Sequence, residues 1–332
     1  MVTEHSNHSS EGAVGRSASW PTVSAVIPAY NAAGTIERAL NSVYAQTYPN
    51  LIEVIVVDDG SQDDTCAVIE RKYPKVKLLR QENAGSPTAR NRGVAEAQGE
   101  YLAFLDDDDE WFPEKTAKQM AAFAAHPGLV FTIASALDVR CPRPAAAPCA
   151  LRPLTFDRCF PVVGFHCGCS QWIIRKAVFE AAGGFNLTLR RAQDIELIWR
   201  VLSLGYATGH LTEGLSSYYS SEIRKSEQQL VQLYEQWYAG MMPVIDGYAL
   251  SAPANDWLTK EQAAEALHHL HYTAAWNLIM VGKVAEARHE FAEAEKWPLT
   301  SRLQGLRHRL AGRWPTVGWS LIKLKRRLTQ SR

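Results

Sequence analysis

Between residues 21 and 110, continuous apolar runs alternate with segments whose apolar residues recur at helical spacing. The runs predict strands and the intervening segments 32–46, 61–73 and 86–98 predict helices. The predicted strands are apolar throughout instead of alternating with polar residues, which indicates a parallel sheet covered on both faces and an α/β fold. The four runs are VSAVIPAY (23–30), IEVIVVDDG (52–60), VKLLRQ (76–81) and EYLAFLDDDD (100–109).

Polar residues follow three of these predicted strands at the point where each strand ends. They are Tyr30-Asn31, Asp58-Asp59 and the run Asp106 to Asp109. Ligands of open α/β sheets bind beside the carboxyl ends of the strands. The three clusters therefore predict a binding site at one edge of the sheet.

The four consecutive aspartates, Asp106 to Asp109, allow three interpretations. A solvated acidic loop is the first, and a calcium loop is the second, although the ligand spacing and glycine of an EF-hand are missing. The third is a divalent cation held by one or two carboxylates together with substrate phosphates. The position after a buried strand favours the third interpretation, and strand alternation predicts that Asp106 and Asp108 point the same way.

Beyond residue 110 the pattern of apolar and polar positions changes twice. A helix is predicted after Pro113, and the Pro- and Arg-rich stretch 138–163 predicts a long surface excursion. A strand and a helix ended by Gly183-Gly184 follow, and then an amphipathic helix that begins near Asp194. Beyond residue 220 the pattern is helical, and 274–294 resembles a tetratricopeptide helix pair.

The pattern predicts four parts of the chain. The first twenty residues lack the apolar core of a signal peptide, and no run of about 18 apolar residues predicts a membrane span. The parts are a disordered tail (1–20), an α/β domain (21–220), a helical extension (221–300) and a basic amphipathic tail (301–332).

Composition narrows the classes of partner and compartment. Apolar residues make up 46% of the 332 residues, and 35 basic residues balance 35 acidic ones, which argues against nucleic acid as a partner. Five of the six cysteines fall in the range 141–169, but the spacing favours neither a disulfide framework nor a two-knuckle zinc site. Buried free thiols in a reducing cytoplasm are the simpler expectation.

The segment 301–332 carries nine Lys or Arg and no Asp or Glu, with Trp314 and Trp319 among them. A solvated basic helix is one interpretation. Peripheral contact with an anionic membrane surface fits better, because tryptophan and leucine alternate with basic residues. This favours a cytoplasmic protein that touches the inner face of the membrane.

Four stretches, in this order and spacing, resemble family 2 glycosyltransferases over roughly 180 residues. The resemblance implies a GT-A fold, which is Rossmann-like with a mostly parallel sheet flanked by helices, and here it carries a helical carboxyl-terminal extension. It also implies Mg²⁺ or Mn²⁺ as cofactor. The stretches are VSAVIPAYNAAGTIERALNSVYAQTYPN, EVIVVDDGSQDDT, QENAGSPTARNRGVAEAQGEYLAFLDDDDEW and GGFN followed by QDIELIWR.

The resemblance implies a site for a nucleotide diphosphate sugar, with a UDP-sugar favoured. Tyr30 would stack on the base, and Asp59 would accept a hydrogen bond from a pyrimidine ring N–H, while Asp58 would be structural. Asp106 and Asp108 match the metal-binding Asp-x-Asp motif, and Asp107 between them adds an unusual carboxylate to the donor site. The remaining donor-binding positions are Pro28, Ala29, Asn83 and Arg90.

Asp194 matches the family's catalytic base, which takes the proton of the acceptor hydroxyl in an inverting transfer. Gln193 stands where the family has glutamate, Glu196 is a second candidate base, and a helix N-cap is the alternative role for Asp194. The acceptor implied is a glycan or a lipid-linked molecule in cell-surface polysaccharide or lipopolysaccharide synthesis.

Two other functions stay open at this point. A nucleotidyltransferase would also bind a nucleotide and a metal at a sheet edge, but the segment PAYNAAGT (28–35) lacks its Gly-rich, basic phosphate loop. A non-catalytic scaffold is the second alternative, and Gln193 is the feature that hints at it.

Overall fold

The computed structural model describes residues 20–138, 149–155, 168–189, 191–219, 259–280 and 282–297, with a few isolated positions between 232 and 248. Its centre is a mixed sheet of nine strands within these ranges. The strands are β1 (Val23–Ala29), β2 (Leu51–Asp58), β3 (Lys77–Arg80), β4 (Tyr101–Phe104), β5 (Glu110–Trp111), β6 (Leu129–Asp138), β7 (Leu151–Pro153), β8 (Trp172–Arg175) and β9 (Ala207–Tyr218).

The strand order is β3-β2-β1-β4-β8-β6-β9-β5, with β7 paired to β9 beside this path. The first four strands are parallel, and Val26 pairs with both Ile55 and Phe104. Their carboxyl ends therefore meet at one edge, as the sequence predicts. Beyond β4 the sheet is mixed, because β8 runs antiparallel to both β4 and β6.

Eight helices surround the sheet within the described residues. A short 3₁₀ turn, Cys169–Gln171, precedes β8. The helices are α1 (Ile36–Tyr44), α2 (Thr65–Lys72), α3 (Ser86–Glu96), α4 (Lys115–Ala125), α5 (Lys176–Ala181), α6 (Gln193–Ser203), α7 (Lys260–Met280) and α8 (Val284–Glu295).

Both faces of the sheet are covered, which explains the unbroken apolar strands. Side chains of β4 alternate between two cores: Leu102 and Phe104 lie in the core that contains α6, and Ala103 lies in the core that contains α1. Alternation along a strand sends successive side chains to opposite faces. Because both faces of β4 are buried, every position of this strand needs an apolar residue.

Helix α3 approaches the sheet closely because position 93 is glycine. A Cβ at Gly93 would lie 2.5 Å from Val26 Cγ1, a distance that real Cβ atoms essentially never show, and 3.2 Å from Val57 Cγ2. Pro87 lies in the first turn of α3, where its missing N–H costs nothing. The close approach places the first turns of α3 at the carboxyl edge of β1 and β2.

Strands β6 and β9 are absent from the sequence prediction, and so is β7, which lies inside the predicted excursion. Leu151–Pro153 pairs antiparallel with β9, and Pro153 is tolerated because short edge strands need few donors. The described residues do not include 139–148 and 156–167. These two segments contain most of the cysteines of the excursion and also His166.

The predicted helix pair forms as α7 and α8, joined through Gly282 at φ 81°. It packs on the α/β part, since Ala263 and Leu267 belong to the same core as α6. No described helix is long and apolar enough to cross a membrane. Residues 1–19 of the predicted tail 1–20, and the whole of the predicted tail 301–332, lie outside the described ranges.

Candidate active site

A cleft of about 350 Å³ opens at the carboxyl edge of β1, β2 and β4. It brings together side chains from six separate segments of the chain. Its walls are Pro28, Ala29, Tyr30, Asp59, Ser86, Arg90, Asp106, Asp107, Asp108, Cys169, Arg191, Gln193 and Asp194. Every predicted donor, metal and base residue except Asn83 and the second base candidate, Glu196, therefore lines one cleft.

The aspartates Asp106 to Asp109 form a turn and do not continue β4. The N–H of Asp109 donates to the carbonyl of Asp106 at 3.2 Å, which closes the turn. Strand alternation consequently does not apply to these residues, and Asp107 lines the cleft together with Asp106 and Asp108. The assignment of Asp106 and Asp108 as the metal pair stays a prediction.

Helix α1 and the loop that precedes it both hold this turn. The N–H of Tyr30 donates to Asp107 Oδ2 at 2.9 Å, and Arg38 Nη2 donates to the carbonyl oxygen of Asp108 at 2.5 Å. The Arg38 guanidinium also lies 3.7 Å from the centre of the Tyr219 ring. The loop after β1 and the acidic turn after β4 are thus joined directly.

Negative charge accumulates at the turn. Burial raises the pKa of Asp107 to about 7, the charges of Asp108 and Asp106 add to the shift, and the N–H of Tyr30 opposes it. Burial likewise raises the pKa of Asp109 to about 8, with Asp106 adding to it. Such repulsion is the condition under which a divalent cation is most favourable.

The donor set fits a cation that is shared with a substrate. Three carboxylates of the acidic turn line the cleft, yet the described residues contain no preformed cluster of three or more metal-ligating side chains. Mg²⁺ is usually held by one or two carboxylates and by substrate phosphates instead of a closed protein cage. Asp106 and Asp108 would hold it in that manner.

Arg90 forms the floor of the cleft. Only 5% of its surface is exposed, and its Nη2 donates to Asp106 Oδ1 at 2.5 Å while Nη1 donates to Ser86 Oγ at 3.3 Å. The alternative role of a solvated surface cation does not apply to a buried side chain. Arg90 fixes Asp106 and leaves a strong positive charge at the base of the cleft.

Asp59 lines the cleft but is also tied to the loop before α3. Its Oδ1 accepts from Gln81 Nε2 at 2.7 Å and from the N–H of Ala84 at 2.9 Å, and its Oδ2 accepts from the N–H of Gly85 at 2.8 Å. Asn83 in the same loop is exposed and does not line the cleft. The predicted contact of Asn83 with ribose or phosphate stays a prediction.

Asp194 lies in the first turn of α6, which follows Ala192 in the left-handed conformation at φ 61°. Its Oδ1 accepts from the N–H of Ile195 at 2.9 Å. Burial raises the pKa of Asp194 above its ordinary value, and the charge of Asp106 contributes, while the Ile195 N–H and Arg90 oppose the shift. A raised pKa gives a carboxylate more affinity for a proton, as a general base requires.

Glu196, the second candidate base, is excluded by its partners. Both of its oxygens accept from Arg200, at 2.9 and 2.6 Å, and Oε1 also accepts from Tyr248 at 3.0 Å. It is buried and does not line the cleft. Asp194 is consequently the base candidate of this helix.

Sequence reasoning missed three lining residues: Ser86, Cys169 and Arg191. Ser86 lies within the recognised stretch that contains Arg90, so its position was available in the sequence. Cys169 lies in a 3₁₀ turn and Arg191 lies just before a helix start, where periodicity gives no signal. The fully buried Cys169 thiol has a pKa raised well above its ordinary value by burial.

The fold is of the GT-A type seen in solved glycosyltransferases, and part of the sequence is similar to the same class of protein. Residues 24–181, a little under half of the chain, match the model of Glycosyl transferase family 2. The chain is 43% identical over 94 residues to the uncharacterized glycosyltransferase YibD of Escherichia coli. It is 41% identical over 105 residues to TuaG of Bacillus subtilis, whose name assigns it to teichuronic acid biosynthesis.

These alignments cover 27% and 30% of this chain. The chain spans 27% of the length of YibD and 41% of the length of TuaG in them. Among solved structures, S. aureus TarS aligns with 90% of this chain and 54% of its own, at TM-score 0.56 and 21% identity. The mannosyltransferase PcManGT from Pyrobaculum calidifontis, in complex with GDP-Man and Mn²⁺, aligns with 94% of this chain and 88% of its own, at TM-score 0.58 and 21% identity.

Proposed function

We propose that the protein transfers a sugar from a nucleotide diphosphate sugar to an acceptor hydroxyl, with inversion and with Mg²⁺ or Mn²⁺. One observation carries the proposal: a single cleft joins the Tyr30 and Asp59 wall, the acidic turn and Asp194. A nucleotide, a diphosphate-bound cation and a base are the three requirements of this chemistry. A scaffold would not need Asp194 in the same cleft as the acidic turn.

The donor side fits a nucleotide. Tyr30 is 47% exposed at the cleft and offers an aromatic face to a base, and Asp59 lies beside it. Buried Arg90 faces the position where phosphate oxygens would lie near Asp106. TarS has been solved with UDP and with UDP-GlcNAc, and PcManGT with GDP-Man, which supports a nucleotide sugar donor and leaves the sugar open. We favour a UDP-sugar.

In the transfer, Asp194 takes the proton of the acceptor hydroxyl as that oxygen attacks the anomeric carbon from the face opposite the diphosphate. When bound, a divalent cation offsets the charge that builds on the departing diphosphate. Arg90 keeps the Asp106 carboxylate oriented in the cleft, where it would hold that cation. Gln193, adjacent to Asp194, presents a neutral amide to the acceptor side of the cleft.

The acceptor we propose is a glycan or a lipid-linked molecule of cell-surface polysaccharide synthesis. The name of TuaG refers to such a polymer and supports this choice. A peripheral contact of 301–332 with anionic lipid would bring the enzyme to the inner face of the membrane. Flotation with anionic liposomes tests that contact, and a chain shortened to residue 300 must lose binding.

Nucleoside diphosphate release measures the activity directly. The full chain is incubated with a panel of nucleotide sugars and candidate acceptors, with Mn²⁺ or Mg²⁺ and with EDTA. We expect release that requires one donor and is abolished by EDTA. If no nucleotide sugar is consumed and none raises the melting temperature in the presence of metal, the proposed activity is wrong.

A further inference from the structure

Ser170 is fully buried in the 3₁₀ turn before β8, and it contacts three residues of the segment that carries the acidic turn. The N–H of Asp106 donates to Ser170 Oγ at 3.0 Å, and Ser170 Oγ donates to Asp109 Oδ2 at 2.5 Å. Trp111 Nε1 donates to the Ser170 carbonyl oxygen at 2.7 Å. One serine therefore fixes both ends of the turn.

Asp109 differs from the other three aspartates. It is 7% exposed, does not line the cleft, and its second oxygen, Oδ1, accepts from the N–H of Tyr219 at 3.3 Å. Both of its carboxylate oxygens are thus occupied by groups of the protein. Neither reaction chemistry nor substrate contact explains why a carboxyl group is buried here.

The turn needs a contact from outside its own segment, because repulsion between its carboxylates disfavours its closed shape. The three cleft-lining carboxylates, Asp106, Asp107 and Asp108, are consecutive in one turn, so their mutual repulsion favours a more open loop. A site that binds a cation and a diphosphate must hold its ligands within about half an ångström of the productive geometry. Ser170 and Asp109 provide a link between the two ends of the turn from outside the cleft.

We propose that Ser170 and Asp109 are positioning residues that hold the turn Asp106–Asp109 in the shape in which its cleft-lining carboxylates accept a cation-bound diphosphate. This inference rests on the proposed function. It gives the fourth aspartate a role distinct from metal contact, and it extends the site to a serine that lies more than sixty positions away in the chain.

Isothermal titration with UDP, GDP and dTDP, with and without Mn²⁺, tests the proposal on Ser170→Ala, Ser170→Thr and Asp109→Asn. Ser24→Ala is the matched control, since Ser24 is also fully buried and its Oγ also makes two hydrogen bonds, to Glu53 at 2.5 Å and from Gly99 at 2.8 Å. Ser24 lies at the opposite, amino end of β1. Thermal unfolding of every variant is measured in parallel.

We expect Ser170→Ala and Asp109→Asn to weaken Mn²⁺-dependent nucleotide binding by about tenfold, because a buried polar partner is lost from a preorganised site. Metal-free binding should change less than about twofold on the same scale, and Ser170→Thr should restore the metal-dependent part because it keeps the hydroxyl. If Ser170→Ala does not fold, Asp109→Asn carries the same test.

Three results overturn the proposal. Unchanged Mn²⁺-dependent binding in both variants removes the positioning role. An equal loss in Ser24→Ala, or an equal loss of metal-free binding, reduces the effect to general destabilisation. Failure of the unmodified chain to bind any of the three nucleotides with Mn²⁺ contradicts the proposed function itself, and the inference falls with it.

Discussion

Arg90 and Asp106 form an ion pair of 2.5 Å in which the arginine is buried and the aspartate lines the cleft. The pair joins the first turns of α3 to the acidic turn after β4, across the carboxyl edge of the sheet. It therefore couples the nucleotide side of the cleft to the side proposed to hold the cation.

Replacing Arg90 with lysine should impair donor binding although the charge is kept. Lysine lacks the forked donors that reach Asp106 and Ser86 together, so both the carboxylate and the cleft floor lose their orientation. We expect a rise in donor KM of about tenfold or more. Lys77→Arg, at an exposed ion pair with Glu96, is the control and should leave kinetics unchanged. Equal kinetics of Arg90→Lys and the unmodified chain would contradict the role of the pair.

Asp194→Asn should slow transfer strongly and preserve nucleotide binding. Loss of a general base lowers the rate by roughly 10²- to 10⁴-fold, whereas the donor wall of Tyr30 and Asp59 is untouched. Turnover and calorimetric donor binding are measured on the same preparation.

Glu196→Gln provides the matched control one half-turn later in α6. Its ion pair with Arg200 is lost, so the melting temperature should fall while turnover at low temperature remains. If Glu196→Gln loses turnover and Asp194→Asn does not, the base has been assigned to the wrong residue.

The acid limb of the pH–activity profile should lie at a higher pH than the pKa of an ordinary aspartate. Asp194 must be deprotonated to accept a proton, and burial raises its pKa, so activity is lost at a higher pH than for a solvated carboxylate as the pH falls. The pH profile of kcat/KM between pH 4 and about 8 checks this. The residual activity of Asp194→Asn should lack that limb; a limb that persists in this variant belongs to another group.

Lys115→Met should stabilise the protein. Lys115 is fully buried in α4, with its Nζ 3.4 Å from the Trp172 carbonyl oxygen and 4.4 Å from the centre of the Trp111 ring. Burial lowers the pKa of Lys115 well below its ordinary value. The unfolded chain therefore binds one more proton than the native chain between the two pKa values, so stability rises with pH across that window.

Methionine fills a similar volume without a charge to desolvate, so the melting temperature should rise and its dependence on alkaline pH should flatten. Lys118→Met in the same helix is the control, and its melting temperature should change in the opposite direction. The reason is that Glu213 and Glu114 raise the pKa of Lys118 to about 12. Thermal unfolding from pH 7 to about 10 compares the two. A lower melting temperature for Lys115→Met at neutral pH would show that the contacts with Trp111 and Trp172 outweigh the desolvation of the amine.

The first four strands and their helices could be predicted because each carries a local signal. An unbroken apolar run such as Val54 to Val57 has few alternatives to a buried strand, and Pro87 and Gly85 mark the start of α3. The convergence of Tyr30, Asp59 and the aspartates follows from the parallel topology alone. Cleft membership of Asp194 required the family resemblance, because a carboxylate that opens an amphipathic helix is also an ordinary helix start.

The remainder depended on tertiary pairing that no local pattern contains. Strands β6 and β9 carry Gly209 and Gly214 and several serines, and their burial comes from each other and from β8. The shape of the acidic turn was wrongly expected to continue the alternation of β4, since a run of identical residues gives no periodic signal. Ser170 was missed because its role lies in hydrogen bonds to distant residues.

The family match ends at residue 181, yet Arg191, Gln193 and Asp194 belong to the same cleft. Helix α6, which carries Asp194, also contributes Leu197 and Trp199 to the core beneath Phe104. The strands that carry the proposed donor site and the helix that carries the proposed base consequently share one interior. A chimera that exchanges acceptor specificity with a relative should therefore have its junction beyond β9. A junction before that point would divide the shared core and separate the proposed donor site from the proposed base.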